Sequence, residues 1–373
     1  MSYRLRTLLL LLTFSLLSLA AGQGNALPSP AELTNGWNFV AAPEGYVCGL
    51  GDPYGFFVHP GDPEKLTLHF QVGGGCWDAA GCAAGSGFYF DHVDPEALAM
   101  PEGIFDTENP QNPLRDYTHV VIPSCNGDVH LGDYTASYGP VEIDGKTIEK
   151  YSFEHRGFSN AQRVLDWVYN AYESPDEVVI TGASAGSVGS IYHAPYIMDH
   201  YKGSSLLQIG DSFAGVFPPE GFTPLATWGV YDNLPDFIPE LANLSPDDGT
   251  FAVNANALYS ATANAFPDSK IAEFATRNDA TQRFFWVAQG GSTEEGLSLA
   301  LLDKFSTLNA DLPNFYSFLA GGDAHAVMTS DLFYSIKVGN TSYRDWVADL
   351  IAGETVADVA CEGSACDEAE GVE

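Results

Sequence analysis

Basic residues are scarce in this chain: 15 Lys and Arg stand against 49 Asp and Glu over 373 residues, a formal charge of −34 with a sequence pI near 4.2. Nucleic-acid binding and docking on anionic lipid both rest on Lys and Arg, so neither is an expected function. Membrane-length apolar runs are missing as well. The N-terminal run over residues 8–19 falls short of the roughly 20 residues a span requires. It follows Arg4 and Arg6 and leads into Ala20-Ala21-Gly22, the layout of a signal peptide over residues 1–22 rather than of stable membrane insertion. No Cys-x-x-Cys or His-Glu-x-x-His occurs, which argues against zinc, and no Asp-x-Asp-x-Asp-Gly loop is present for calcium. Repeats of solenoid length are absent.

What is present is material for a core. Charged residues make up 17% of the chain, whereas 45% are hydrophobic and 13% aromatic, which excludes a disordered acidic polymer. The signal peptide implies export, a secreted protein in the extracellular space or the periplasm, and therefore a compartment in which disulfides persist. Six cysteines are expected to pair there. Cys76 with Cys82 and Cys361 with Cys366 are near enough to close small loops, which leaves Cys48 with Cys125 as the long bridge by elimination.

Apolar, β-rich runs at residues 66–72, 119–122, 177–181, 206–209, 271–276 and 315–319 alternate with helical patterns at 159–172, 185–201 and 293–308. Continuous apolar strands between helices predict an α/β fold with a mostly parallel sheet covered on both faces. Residues 85–113, rich in Pro, Gly and aromatics, lack a period and read as a long loop or cap beside a cleft. We expect a single domain over 23–352. An acidic, solvated tail carrying the last Cys pair follows over 353–373.

The strand at 177–181 runs into Gly182-Ala183-Ser184-Ala185-Gly186 and then into a helical pattern. A Gly-x-Ser-x-Gly between strand and helix is the context of a nucleophile elbow, in which flanking glycines avoid clashes that a Cβ would make. The competing reading, the cofactor turn of short-chain dehydrogenases, needs its last glycine where Val188 stands and a Tyr-x-x-x-Lys that the chain lacks. About 110 residues upstream, the strand at 66–72 ends in Gly73-Gly74-Gly75-Cys76-Trp77. Acyl transfer requires N–H donors for a tetrahedral oxyanion. We assign them to Gly74, Gly75 and Ala185, the last being the residue after the nucleophile.

In elbow hydrolases the acid and then the base follow the serine in the chain. Of the histidines after Ser184, His193 and His200 lie in the adjacent helical stretch and cannot fold back on it, so His325 is the expected base. For the acid, Asp279 after the run at 271–276 is preferred over Asp211, with Asp323 a third candidate, because a buried carboxylate at a strand end best holds an imidazole tautomer. If His325 is the base, activity should rise with pH as its imidazole becomes neutral.

Together these residues resemble the pectin acetylesterase family, which includes plant and bacterial pectin acetylesterase-like proteins and the animal Notum carboxylesterases. The likeness runs from about Gly36 to Phe333 in separate anchors. The family's Gly-Gly-Gly-Trp-Cys segment is matched by Gly73-Gly74-Gly75-Cys76-Trp77 with Cys and Trp exchanged, and its Pro-x-Cys-x-Gly-Asp-x-His-x-Gly segment by residues 123–132. Its nucleophile segment matches residues 182–186, its aspartate maps on Asp279 with Gln282 following, and its histidine maps on His325. The resemblance implies an α/β-hydrolase variant with loop insertions forming a cap. It also implies cofactor-free hydrolysis of O-acyl esters, O-acetyl first among them, and favours the Cys48–Cys125 and Cys76–Cys82 pairings. Trp77, Asp128 and His130 are then expected to border or brace the pocket. The expected partner is an acylated carbohydrate or a small ester, taken up by a monomer.

Two rival readings remain at this point. Gly127-Asp128-Val129-His130 and Gly322-Asp323-Ala324-His325 resemble metal boxes of calcineurin-type phosphoesterases, although the other boxes of that family are absent. A non-catalytic acidic carbohydrate-binding protein is the second. The charge bears on the substrate too: a chain this acidic repels polygalacturonate except where salt screens it, which favours a neutral acylated substrate or a saline habitat.

Overall fold

The computed structural model describes residues 26–98, 101–143, 145–218, 227–245, 255–291 and 294–371, with only the backbone of 294 and 295. The expected signal peptide lies outside the described residues.

Nine strands form the main sheet: β1 (Asn38–Ala41), β2 (Gly55–His59), β3 (Asp62–Phe70), β4 (Tyr117–Ile122), β5 (Glu177–Ala183), β6 (Ser205–Asp211), β7 (Lys270–Thr276), β8 (Phe315–Ala320) and β9 (Val359–Ala360). Their order is β1-β2-β4-β3-β5-β6-β7-β8-β9. Among the described residues of this sheet, the β1/β2 and β2/β4 pairings are antiparallel and the rest parallel. Strand side chains alternate between two separate cores. Val178 and Ile180 belong to one and Val179 to the other; Ile271 and Ala275 face Ala272 and Phe274 in the same way. A sheet buried on both faces shows no polar alternation, which is why these strands read as continuous apolar runs.

One core is roofed by α1 (Gly157–Ala171), α2 (Ala185–His200), α3 (Asn256–Ala265) and α5 (Glu294–Asp311), the other by α6 (Tyr343–Ile351) and short turns around Ile104 and Phe333; α4 (Ala280–Ala288) follows β7. Helix α2 is buried along nearly its whole length from Ala185 to Met198, so it lacks the polar stripe of a surface helix.

All three expected disulfides are present, Cys48–Cys125, Cys76–Cys82 and Cys361–Cys366, with Cα separations of 5.0, 5.1 and 5.2 Å. The C-terminal segment departs from the expectation of a solvated tail. Val359 and Ala360 extend the sheet beside Phe318 and Leu319, and both Cys361 and Cys366 are buried. The acidic residues around this pair conceal a two-residue strand that tertiary pairing creates.

Candidate active site

Strand β5 delivers Ser184 into the turn before α2 with φ +56° and ψ −123°, a conformation that costs a non-glycine residue on the order of 1–3 kcal/mol. The turn is held by Ser184 N–H donating to the Asp211 carbonyl at 2.7 Å. Its glycines are sterically required: a Cβ on Gly182 would lie 1.9 Å from the Gly186 carbonyl oxygen, and one on Gly186 would lie 1.8 Å from that of Phe70, at the end of β3.

The glycine run after β3 forms a short ladder with the segment around Tyr89. Gly75 N–H donates to Phe88 O at 2.9 Å and Phe90 N–H to Gly73 O at 3.0 Å. Gly74 is therefore at the non-hydrogen-bonded position of that pair, where a residue's own N–H and C=O turn away from the partner strand. Its φ is +63°, and a Cβ there would meet Phe88 O at 2.1 Å. Ala185, the first residue of α2, has no acceptor within its own helix. Both residues line the cavity that Ser184 faces. Gly75 corrects the expectation: it lines the same cavity, but its N–H is committed to Phe88, leaving Gly74 and Ala185 as the donors available there.

Asp279 and His325 come from the loops after β7 and β8. Asp279 is fully buried and caps α4, accepting from Gln282 N–H at 2.8 Å and from Gln282 Nε2 at 2.9 Å. Its Oδ2 accepts from His325 Nδ1 at 2.7 Å. A carboxylate can only accept, so the imidazole proton sits on Nδ1, leaving Nε2 with a lone pair. His325 lines the cavity with Ser184. Asp211, the alternative acid, bonds elsewhere. Its carboxylate accepts from Ser212 Oγ at 2.6 Å and from Met328 N–H, and burial pushes it up to about 6.

The cavity is walled by Trp77, Val129, Phe213, Phe217, Trp228 and Phe285, with Gln282 and Gln289 as polar members; among the described residues His325 is the only ionisable side chain on it. Most of these walls left no local mark in the sequence. They stand on separate loops and on α4, and aromatic residues of that kind read equally well as core.

Asp128 and His130 do not line this cavity. Both are fully buried, Asp128 accepting from Gly157 N–H at 2.8 Å and His130 Nε2 donating to Gln71 O at 2.9 Å. Through Gln71 the His130 imidazole holds the chain just ahead of the glycine run. Among the described residues no group of three His, Cys, Asp or Glu could hold a metal ion, so the two Gly-Asp-x-His segments do not assemble a centre.

Burial pushes the Asp128 carboxyl up to about 8 from an ordinary value of 3.8. The folded state thus holds one more proton than the unfolded chain between those values, and this contribution to stability is lost as pH rises through about 8. The stability difference between wild type and Asp128→Asn should therefore shift against wild type from pH 5 to 8 in urea unfolding, by about the amount linkage gives for one carboxyl. A difference that does not change with pH would mean that this carboxyl is ionised in the fold.

Residues 30–219 match the family model for Pectinacetylesterase. Among curated proteins, the chain is 27% identical over 185 residues to pectin acetylesterase 5 of Arabidopsis thaliana, covering 46% of this chain and 40% of that protein. It is 26% identical over 171 residues to pectin acetylesterase 4 of the same plant, covering 43% and 38%. The chain thus spans about two fifths of the length of these relatives. Its fold is similar to that of the Wnt deacylase Notum from Drosophila, with a TM-score of 0.56 at 16% identity over 84% of this chain and 93% of that one. The family match contains Gly74, Ser184 and Ala185 but ends before His325, which lines the same cavity, and before Asp279, which is buried behind it on His325 Nδ1. With a family model matched over half its length, from the first described strands through the serine turn, this chain belongs to the pectinacetylesterase family.

Proposed function

We propose that this protein is a serine carboxylesterase that hydrolyses O-acyl esters through Ser184, His325 and Asp279. The observation that carries this reading is the convergence on one apolar cavity of a strained serine and an imidazole whose Nδ1 is bound to a buried carboxylate. Ser184 Oγ attacks the acyl carbonyl while His325 Nε2 takes its proton. The carbonyl oxygen becomes an oxyanion between the N–H groups of Gly74 and Ala185, each worth on the order of 3 kcal/mol in such a role. Collapse expels the alcohol, which receives the proton from the imidazolium. Water then repeats the sequence on the acyl-enzyme and releases the acid. Asp279 holds the ring in the productive tautomer. No step requires a cofactor.

The names of the plant relatives make acetylated polysaccharide the first substrate to try. Among the described residues that line the cavity none is Lys or Arg, which a uronate carboxylate would need, and the net charge of −34 opposes a polyanion at long range, so a neutral acylated carbohydrate or small ester fits better. Export through the N-terminal segment is part of the same reading, supported by three disulfides.

A fluorophosphonate should label Ser184, and chelators should leave hydrolysis of p-nitrophenyl acetate intact. On a panel of esters, acetylated neutral polysaccharide should release acid faster than acetylated polygalacturonate at low salt, and added salt should narrow the gap. Activity on the polyanion that falls as salt is added would reject the electrostatic argument, and activity lost to chelator would reject the serine mechanism.

A further inference from the structure

The loops that carry Asp279 and His325 are stitched together by the chain's own C-terminus. Between the loops themselves, Arg277 N–H donates to Ala320 O at 2.9 Å, Asn278 N–H to Gly322 O at 3.0 Å, and Ala280 N–H to Asp323 O at 3.1 Å. A third party joins them. The carbonyl oxygen of Cys366 accepts from Gly322 N–H at 3.1 Å and from Asn278 Nδ2 at 3.0 Å. One oxygen thus receives a donor from each loop, one residue before Asp279 and three before His325.

That oxygen is itself anchored. The Cys361–Cys366 bridge closes its loop, and Cys361 N–H donates to Leu319 O at 2.9 Å in the β8/β9 edge. Beyond it, Lys337 N–H donates to Glu370 O at 3.0 Å. The fit is close enough to require glycine on the facing loop. A Cβ on Gly321 would lie 2.2 Å from Ala365 O and 2.4 Å from Glu368 O, and Gly322 has a φ of +86°.

We propose that the C-terminal disulfide loop is a positioning element for the acid–base pair: the Cys366 carbonyl, with Asn278 as its side-chain partner, sets the Asp279–His325 geometry on which turnover depends. This rests on the esterase reading, because a geometry set for Asp279 and His325 matters to turnover only if they are acid and base. A tail that merely added stability would need no contact with both loops, and the two possibilities differ in what they change.

The test uses the full chain with Asn278→Ala, which removes one donor, and with Cys361→Ser/Cys366→Ser, which opens the loop. Both are assayed on p-nitrophenyl acetate well below their melting temperatures. Small displacements of catalytic groups cost up to about 100-fold, so kcat should fall by roughly 10- to 100-fold with KM little changed. The low-field proton resonance of the His325 Nδ1–H···Asp279 hydrogen bond should broaden or exchange faster. Variants that melt earlier yet keep wild-type kcat and an unaltered Nδ1 resonance would overturn the proposal. Should the double-serine protein fail to fold, Asn278→Ala decides. The resonance reads the positioning even if the wild type hydrolyses no ester, an outcome that would defeat the esterase reading alone.

Discussion

Replacing Ser184 with alanine should reduce ester hydrolysis by roughly 10⁴-fold or more, the scale seen when a serine nucleophile is removed, and should abolish fluorophosphonate labelling. The fold should survive. Among the described residues Ser184 Oγ makes no hydrogen bond that the turn needs, the turn being held by the Ser184 N–H to Asp211 carbonyl bond and by the close passage of Gly182 and Gly186. Alanine carries the same Cβ into the same strained backbone, so the strain is not relieved and the melting temperature should hardly move. Background hydrolysis by the Gly74 and Ala185 donors and the binding cavity sets the floor, since such features alone retain part of the rate enhancement in triad enzymes. Full activity in Ser184→Ala, measured as kcat on p-nitrophenyl acetate, would end the mechanism proposed here.

Asp279→Asn should lower kcat by about 10⁴-fold while the cap of α4 survives, a separation that follows from the two oxygens of this side chain, Oδ1 on the cap and Oδ2 toward His325 and Gln282 Nε2. As the cap of α4 it accepts from Gln282 N–H, and asparagine caps a helix as well as aspartate does. As the partner of His325 Nδ1 it must accept, and the amide of asparagine presents a donor on one side. With that donor facing the ring, the imidazole proton moves to Nε2, where a lone pair is needed to take the proton from Ser184. Asp211→Asn serves as the control. Asp211 holds Ser212 and Met328 rather than His325, so its loss should leave the tautomer unchanged and cost stability instead. A kcat for Asp279→Asn within tenfold of wild type, or a larger loss of kcat in Asp211→Asn, would reverse the choice of acid.

The parts of this site that sequence reading located are those whose geometry is local. A nucleophile elbow needs strand, glycine, serine, glycine and helix within a dozen residues, and residues 177–201 spell that order. The buried parallel strands were equally legible, because both of their faces are apolar and their bounds need no long-range information. Strands β1, β2 and β9 escaped notice. They are short edge or near-edge pieces defined by partners far away in the chain, and the acids around the last of them read as a solvated segment.

Where the chemistry depends on direction rather than residue type, the sequence was silent. Three glycines announce backbone donors, yet only the ladder with Phe88 and Phe90 decides that Gly74 turns its N–H away from that ladder while Gly75 does not. The aromatic walls of the cavity come from segments that nothing links before folding. By itself, the sequence determined the α/β class and the pairing of the cysteines and pointed to Ser184 and His325, all of which follow from composition, spacing or a contiguous motif. Only the tertiary structure decided that Asp279 rather than Asp211 meets His325, that the Gly75 N–H is spent on Phe88 and that the segment around Cys366 clasps the loops carrying Asp279 and His325. Each of those is a hydrogen bond whose partner is chosen by where two distant strand ends come to lie in one sheet.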